Sequence, residues 1–297
     1  MPVARTRSVL SGMRVKEAMR RQVVSLDGTT SIWNGIGRLI KYKADALLVM
    51  DSEGNPAGIV SKTDMAGAYY AELPADTPLE AIMAGPLHTC FIDDGLDHAL
   101  DIMRSNGVHQ LFVVGAHADQ FDGMLNYGDI LGLVFQTCRN CRKNRLRQPE
   151  AGVDDHHATE TTVSEVMTPA VITCKVTDHL YQVMESLSAY RMSSVLVTGE
   201  GGNPAGVISK TNLIVAWHRG VAPDAKAAEV MSKPVISCDR KDTINQALAR
   251  MLVGDMGRIF VHDGCPETIV GVLSLSDAAN HRSGTCRACI SSRMVNS

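Results

Sequence analysis

The sequence copies itself at one fixed spacing, and that copy restricts the fold more than any other feature. NPAGIVSKTD at 55–64 returns as NPAGVISKTN at 203–212, and TCRNC at 137–141 returns as TCRAC at 285–289, each 148 residues on. VKEAM (15–19) and VSEVM (163–167) keep that offset, as do LEAIM (79–83) and AAEVM (227–231). No net insertion or deletion separates the halves. Inside each half the opening motif recurs, with Met19 to Met83 and Met167 to Met231 both 64 residues apart. The chain is two halves of two quarters, so one structural unit must be used four times.

Each quarter opens with a short amphipathic turn and a β-prone run: VVSL (23–26), LHTCF (87–91), VITCKV (171–176) or VISC (235–238). Apolar residues at helical spacing follow, such as Ile32, Ile36, Leu39 and Ile40 in the first quarter and Ala247, Leu248 and Met251 in the fourth, which predicts amphipathic helices. ALLVM then AGIVS in the first quarter, and SVLVT then AGVIS in the third, flank the turn-rich DSEGNP and GEGGNP. That is a hairpin followed by a closing helix. The order β-α-β-β-α, repeated four times, predicts an α/β fold with helices packed on small sheets.

No quarter is long enough to build a comfortable core alone, so pairing is expected. The first pair spans 13–141, with repeats at about 13–70 and 77–135, and ends in TCRNC; the second spans 161–289, with repeats at about 161–218 and 225–283, and ends in TCRAC. Residues 142–160 between them are polar, lack apolar periodicity and contain Pro149 and Gly152, as an exposed linker would.

Each quarter closes on a glycine, two apolar residues, Ser or Asn, two residues and Asp or Asn: GIVSKTD, GMLNYGD, GVISKTN and GVLSLSD. This pattern resembles the cystathionine-β-synthase-type (CBS) repeat, over nearly the whole chain outside the termini and linker. The resemblance implies tandem CBS repeats paired into two Bateman modules, and a cleft in each module for AMP, ADP, ATP or a related adenosine compound. A carboxylate holds a ribose diol well, and hydroxyls with backbone donors near a helix start hold phosphate. Ser61, Thr63 and Asp64 in the first quarter, and Ser274, Ser276 and Asp277 in the fourth, carry that full set. The third offers Ser209, Thr211 and Asn212; the second keeps Asp129 but has Asn126 and Gly128 at the hydroxyl positions.

The resemblance also places adenine against the first strand, near Val24, Ser25, Thr173 and Ser237, and a basic residue beside the second strand, a position given to His109 and Arg258. Ala46 and Ser194 stand there in the other quarters, so about one strong site per module is expected. A capping role alone would also explain S-x-x-D.

The CRxC pairs lie outside what the CBS pattern requires. Cys138 with Cys141, and Cys286 with Cys289, each follow the motif acid by about nine residues. Brought together, they would supply four thiolates for a zinc ion or an iron–sulfur cluster, with Arg139 and Arg287 offsetting the charge. Redox-active dithiols and inert thiols kept by duplication are the other readings. Cys90, Cys174 and Cys238 on strands, and Cys265 in a turn, read as small buried apolar residues.

Charge narrows the partners. A net charge of −3 gives no global reason to expect nucleic acid, and no run of 18 apolar residues is available to cross a bilayer. The opening residues lack an apolar core for secretion, so a cytoplasmic protein with reduced thiols is expected. No nucleophile-elbow, zincin or Rossmann fingerprint occurs, and the repeats leave no room for a catalytic domain, so no enzymatic activity is expected. The sequence thus predicts a regulatory sensor that binds adenosine nucleotides and signals to a protein partner, as a homodimer. The alternative is a metal- or redox-responsive protein with a four-cysteine site on the same scaffold.

Overall fold

The computed structural model describes residues 9–115, 121–140 and 161–281. In the first repeat the elements are α1 (Val15–Ala18), β1 (Ser25–Asp27), α2 (Ile32–Tyr42), β2 (Ala46–Met50), β3 (Pro56–Ser61) and α3 (Lys62–Tyr70). The second opens with a 3-10 turn (Leu79–Ala81), then β4 (Thr89–Phe91), α4 (Leu96–Asn106), β5 (Gln110–Val114), β6 (Phe121–Asn126) and α5 (Tyr127–Asn140). The third opens with a 3-10 turn (Val163–Glu165), then β7 (Thr173–Lys175), α6 (Leu180–Ala189), β8 (Ser194–Thr198), β9 (Pro204–Ser209) and α7 (Lys210–His218). The fourth has α8 (Ala227–Val230), β10 (Ser237–Asp239), α9 (Ile244–Val253), β11 (Arg258–Asp263), β12 (Cys265–Ser274) and α10 (Leu275–Asn280).

Each repeat therefore forms one three-stranded sheet with helices, in the order β-α-β-β-α. The first strand runs parallel to the second, Ser25 opposite Leu48, and the second antiparallel to the third, Ala46 opposite Ser61. A parallel pair needs a crossover, which α2, α4, α6 and α9 supply. Apolar runs such as ALLVM make the middle strands, and Ala46 through Val49 are all buried, as a strand covered on both faces requires.

The chain divides into two compact units drawn across the halves. Residues 22–87 and 170–236 form one, containing the sheets of the first and third repeats; the described residues among 1–21, 88–169 and 237–297 form the other, containing those of the second and fourth. In the first of these units Tyr69 of α3 stacks on Trp217 of α7 at 5.4 Å and its hydroxyl donates to Val221 O at 2.7 Å. In the other, Ile130, Leu131 and Val134 of α5 share one core with Leu248 of α9 and Ala278 of α10.

The opening segment of each repeat lies on the third strand of the other repeat in its half. Arg20 bridges to Met124, Ala84 to Ile59, Thr168 to Val272 and Ser232 to Val207. Arg20 N donates to Met124 O at 2.9 Å, and Met124 N returns the bond to Arg20 O at 2.8 Å. Leu79 is carried by this exchange into the core of the first repeat beside Ile32 and Leu47, fully buried, which contributes about 2 kcal/mol.

This exchange explains the motif glycine. A Cβ on Gly58 would lie 2.9 Å from Met83 Sδ and 3.0 Å from Ala84 O; on Gly271 it would lie 2.9 Å from both Met167 Sδ and Thr168 O. The glycine and the methionine of the opening motif are the two sides of one close approach. The opening glutamates cap the short turns: Glu17 accepts from Arg14 N at 2.6 Å and Glu229 from Lys226 N at 3.0 Å.

Cys90, Cys174 and Cys238 are buried on their strands. Cys265 departs from the expected turn: β12 begins at that residue, and its side chain is exposed. No helix among the described residues is long and apolar enough to cross a membrane.

Candidate functional site

Where the third strand of each repeat meets the closing helix, one residue caps that helix. Ser61 Oγ accepts from Thr63 N at 3.1 Å and donates to Asp64 Oδ2 at 2.7 Å, which also accepts from Ser61 N at 2.7 Å. Ser274 and Asp277 repeat the box, with Asp277 N to Ser274 Oγ at 3.1 Å and Ser274 Oγ to Asp277 Oδ2 at 2.6 Å. Asn126 with Asp129, and Ser209 with Asn212, do the same. Capping is thus common to all four and contributes about 1 kcal/mol at each helix.

The repeats differ in what else holds the last motif side chain. In the second, Arg20 Nε donates to Asp129 Oδ1 at 2.6 Å, and the Asp129 side chain is 7% exposed. In the third, Asn212 Nδ2 donates to Ser232 Oγ at 2.8 Å. Arg20 and Ser232 occupy the same bridge position in their opening segments, a position filled by Ala84 facing the first repeat and Thr168 facing the fourth. Asp64 and Asp277 use Oδ2 for the box, and Oδ1 accepts no hydrogen bond from a described residue. A carboxylate oxygen is therefore available in the first and fourth repeats and committed in the second.

The fourth repeat gathers the fullest set. Ser274 Oγ and Ser276 Oγ lie 2.7 Å apart, and Arg258 stands opposite Ser274 in the β11–β12 register. Burial pushes the Arg258 guanidinium pKa down, and the Asp277 charge opposes that shift. Ser237 Oγ is 2.9 Å from His262 Nδ1, whose other ring nitrogen is 3.8 Å from Asp239 Oδ2. In the first repeat, Thr63 Oγ1 accepts from Lys210 Nζ at 2.8 Å and Lys62 Nζ donates to Asp45 Oδ1 at 2.9 Å.

Three expectations change. Gln110, not His109, stands opposite Asn126 where Arg258 stands opposite Ser274, since the offset of 148 leads from Arg258 to Gln110. His109 falls one residue before β5, its ring 5.5 Å from that of Tyr127, and a slip of one residue changes the face a side chain takes. Val24 puts its side chain in the core and its carbonyl on Leu48 N at 2.9 Å, so it offers neither to a ligand. Asp129 is an ion-pair partner. Ser25, Thr173 and Thr211 are exposed, and Ser209 is half-buried.

Of the four CRxC cysteines, Cys138 is buried in the core shared by α5, α9 and α10. Cys141, Cys286 and Cys289, like the linker 142–160, lie outside the described residues. Among the described residues no group of three or more His, Cys, Asp or Glu side chains could hold a metal ion.

The CBS domain family model matches residues 15–71, 79–135, 163–219 and 227–284, well over half the chain. The chain belongs to the CBS domain family. Its four CBS domains coincide with the four sheets and their opening segments.

Among solved structures, protein MJ1225 from Methanocaldococcus jannaschii, a candidate archaeal homolog of g-AMPK, has a TM-score of 0.74 at 17% identity, covering 91% of this chain and 99% of that one. A conserved protein from Pyrococcus horikoshii has a TM-score of 0.59 at 18% identity with the same coverage. Both show the four-CBS fold. Among curated proteins, MK0525 of Methanopyrus kandleri is 25% identical over 118 residues, 39% of this chain, and MJ1404 of Methanocaldococcus jannaschii is 27% identical over 192, 64% of this chain. The matched stretches span 60% and 40% of those relatives.

Within this CBS scaffold, sequence reasoning missed that Arg20, Ser232 and Lys210 contact motif side chains. Two of them reach across the chain, Arg20 to Asp129 over 109 residues and Lys210 to Thr63 over 147, while Ser232 meets Asn212 20 residues before it. The 148-residue offset aligns equivalent positions but does not say which of them touch.

Proposed function

We propose that the protein is a regulatory sensor that binds an adenosine nucleotide at the first and fourth CBS domains, through Ser61, Thr63 and Asp64 and through Ser274, Ser276 and Asp277. The observation that carries this reading is the open Oδ1 of Asp64 and Asp277, set against Asp129 held by Arg20. A ribose diol donates two hydrogen bonds, and an ionised carboxylate is the acceptor that binds it best. The paired hydroxyls of Ser274 and Ser276 stand at the same junction, and hydroxyls suit phosphate oxygens.

Binding at these junctions transmits by population shift. A ligand that favours one arrangement of its domain stabilises that arrangement, and a protein partner reads the change. The scaffold carries no catalytic step in this reading. Calorimetric titration of the full chain with AMP, ADP, ATP and S-adenosylmethionine tests it. Saturable binding by at least one of the four, weakened about tenfold or more by Asp277→Ala, is the expected result; no binding at millimolar ligand would sink it.

A further inference from the structure

The structure assigns Lys210 of the third CBS domain to the first domain's half-site, as the cation that selects phosphorylated adenosine ligands there; this rests on the nucleotide reading above. Lys210 Nζ donates to Thr63 Oγ1 at 2.8 Å, and both residues belong to the same compact unit. Thr63 is the second hydroxyl of the S-x-T-D motif, two residues from Ser61 and next to Asp64, and it is exposed. An ammonium at hydrogen-bond distance from that hydroxyl stands within reach of an anion bound by it. Its charge gains far more from a phosphate than from an uncharged 5′ group.

The two lysines of the motif are not equivalent, and the sequence explains why. Lys62 and Lys210 occupy the same position, first in α3 and first in α7, 148 residues apart. Lys62 N donates to Asp45 O and Lys62 Nζ to Asp45 Oδ1 at 2.9 Å, so its charge is offset on its own domain. The position of Asp45 is filled in the third domain by Ser193, whose carbonyl receives Lys210 N. With a serine there, the Lys210 ammonium is delivered to Thr63.

The other unit places its cation differently. Its counterparts of Lys62 and Lys210 are Tyr127 and Leu275, both packed with the apolar core, and its strand position holds Arg258. In the first and third domains the strand position holds Ala46 and Ser194. Arg258 on a strand thus stands opposite Ser274 of the fourth-domain motif, and Lys210 on a helix reaches Thr63 of the first-domain motif.

The test uses the full chain carrying Asp277→Ala, so that the first half-site alone reads out. Titrations with AMP and with adenosine are compared before and after adding Lys210→Met, which keeps the stem and removes the charge. The expected result is AMP binding weakened about tenfold, with adenosine binding within twofold and the unfolding temperature unchanged. Lys62→Met, as a control, leaves AMP binding within twofold. AMP binding unaltered by Lys210→Met overturns the assignment, as does equal weakening of AMP and adenosine. If Asp277→Ala alone abolishes all binding, the first half-site takes no nucleotide and the assignment falls while the fourth-domain site stands. If the unsubstituted chain binds no adenosine compound, the nucleotide reading itself has failed.

Discussion

Gly271 has no room for a methyl group, because backbone Thr168 O and the Met167 sulfur each stand 2.9 Å from where its Cβ would be. Gly271→Ala must push the exchanged segment off β12, at a cost of about 1–3 kcal/mol in urea unfolding. Gly67, in the exposed middle of α3 with nothing within 4 Å, behaves oppositely: Gly67→Ala stabilises by about 0.5–1 kcal/mol. The thiols divide in the same way. Burial pushes Cys90 up to about 12 and Cys174 and Cys238 up to about 11, so all three stay protonated near neutrality, while Cys265 is exposed. Peptide mapping after native iodoacetamide treatment at about pH 8 should find Cys265 modified and those three intact until denaturant is added. The pH consequence has a definite sign. In the unfolded chain these thiols ionise near 9.0, and in the folded protein only at about 11 to about 12, so their contribution is full below pH 9.0 and stability falls as pH rises above it.

At the scale of elements, the exchanged opening segments decide which half-sites are open. Arg20 reaches Asp129 only because its segment lies on β6, and Arg20→Ala leaves a nearly buried carboxylate without its cation. Arg20 is itself half exposed, which limits the loss to about 1–2 kcal/mol in thermal unfolding, and adding Asp129→Asn should restore part of it. The strands, helices and caps of each repeat were legible in the sequence, since apolar spacing and the capping boxes, S-x-x-D or its Asn variants, are local signals repeated four times. The partner of each opening segment was not, because a motif at a fixed offset carries no information about which sheet it joins. The same limit hid Arg20, Ser232 and Lys210. His109 was a different failure, a one-residue slip in aligning the second repeat that the register of β5 with β6 exposes. The readings on Cys141, Cys286 and Cys289 fall beyond the described residues, and Cys138 is buried.

At the scale of the whole chain, a fourfold repeat has been given unequal parts. One compact unit holds the domains with Asp64 and Asn212, the other those with Asp129 and Asp277, so each contains one open carboxylate and one committed side chain. A ligand at about one hundred times its Kd would stabilise the fold by about 2.7 kcal/mol per site, enough to bias a domain arrangement that a partner could read. The direct measurement is the number of AMP molecules bound per chain at saturation, counted by native mass spectrometry. Two per chain are predicted, with Asp64→Ala and Asp277→Ala each removing one and Asp129→Ala removing none. Four per chain, none, or a count that is lowered by Asp129→Ala but not by the other two would contradict the assignment of open and closed half-sites.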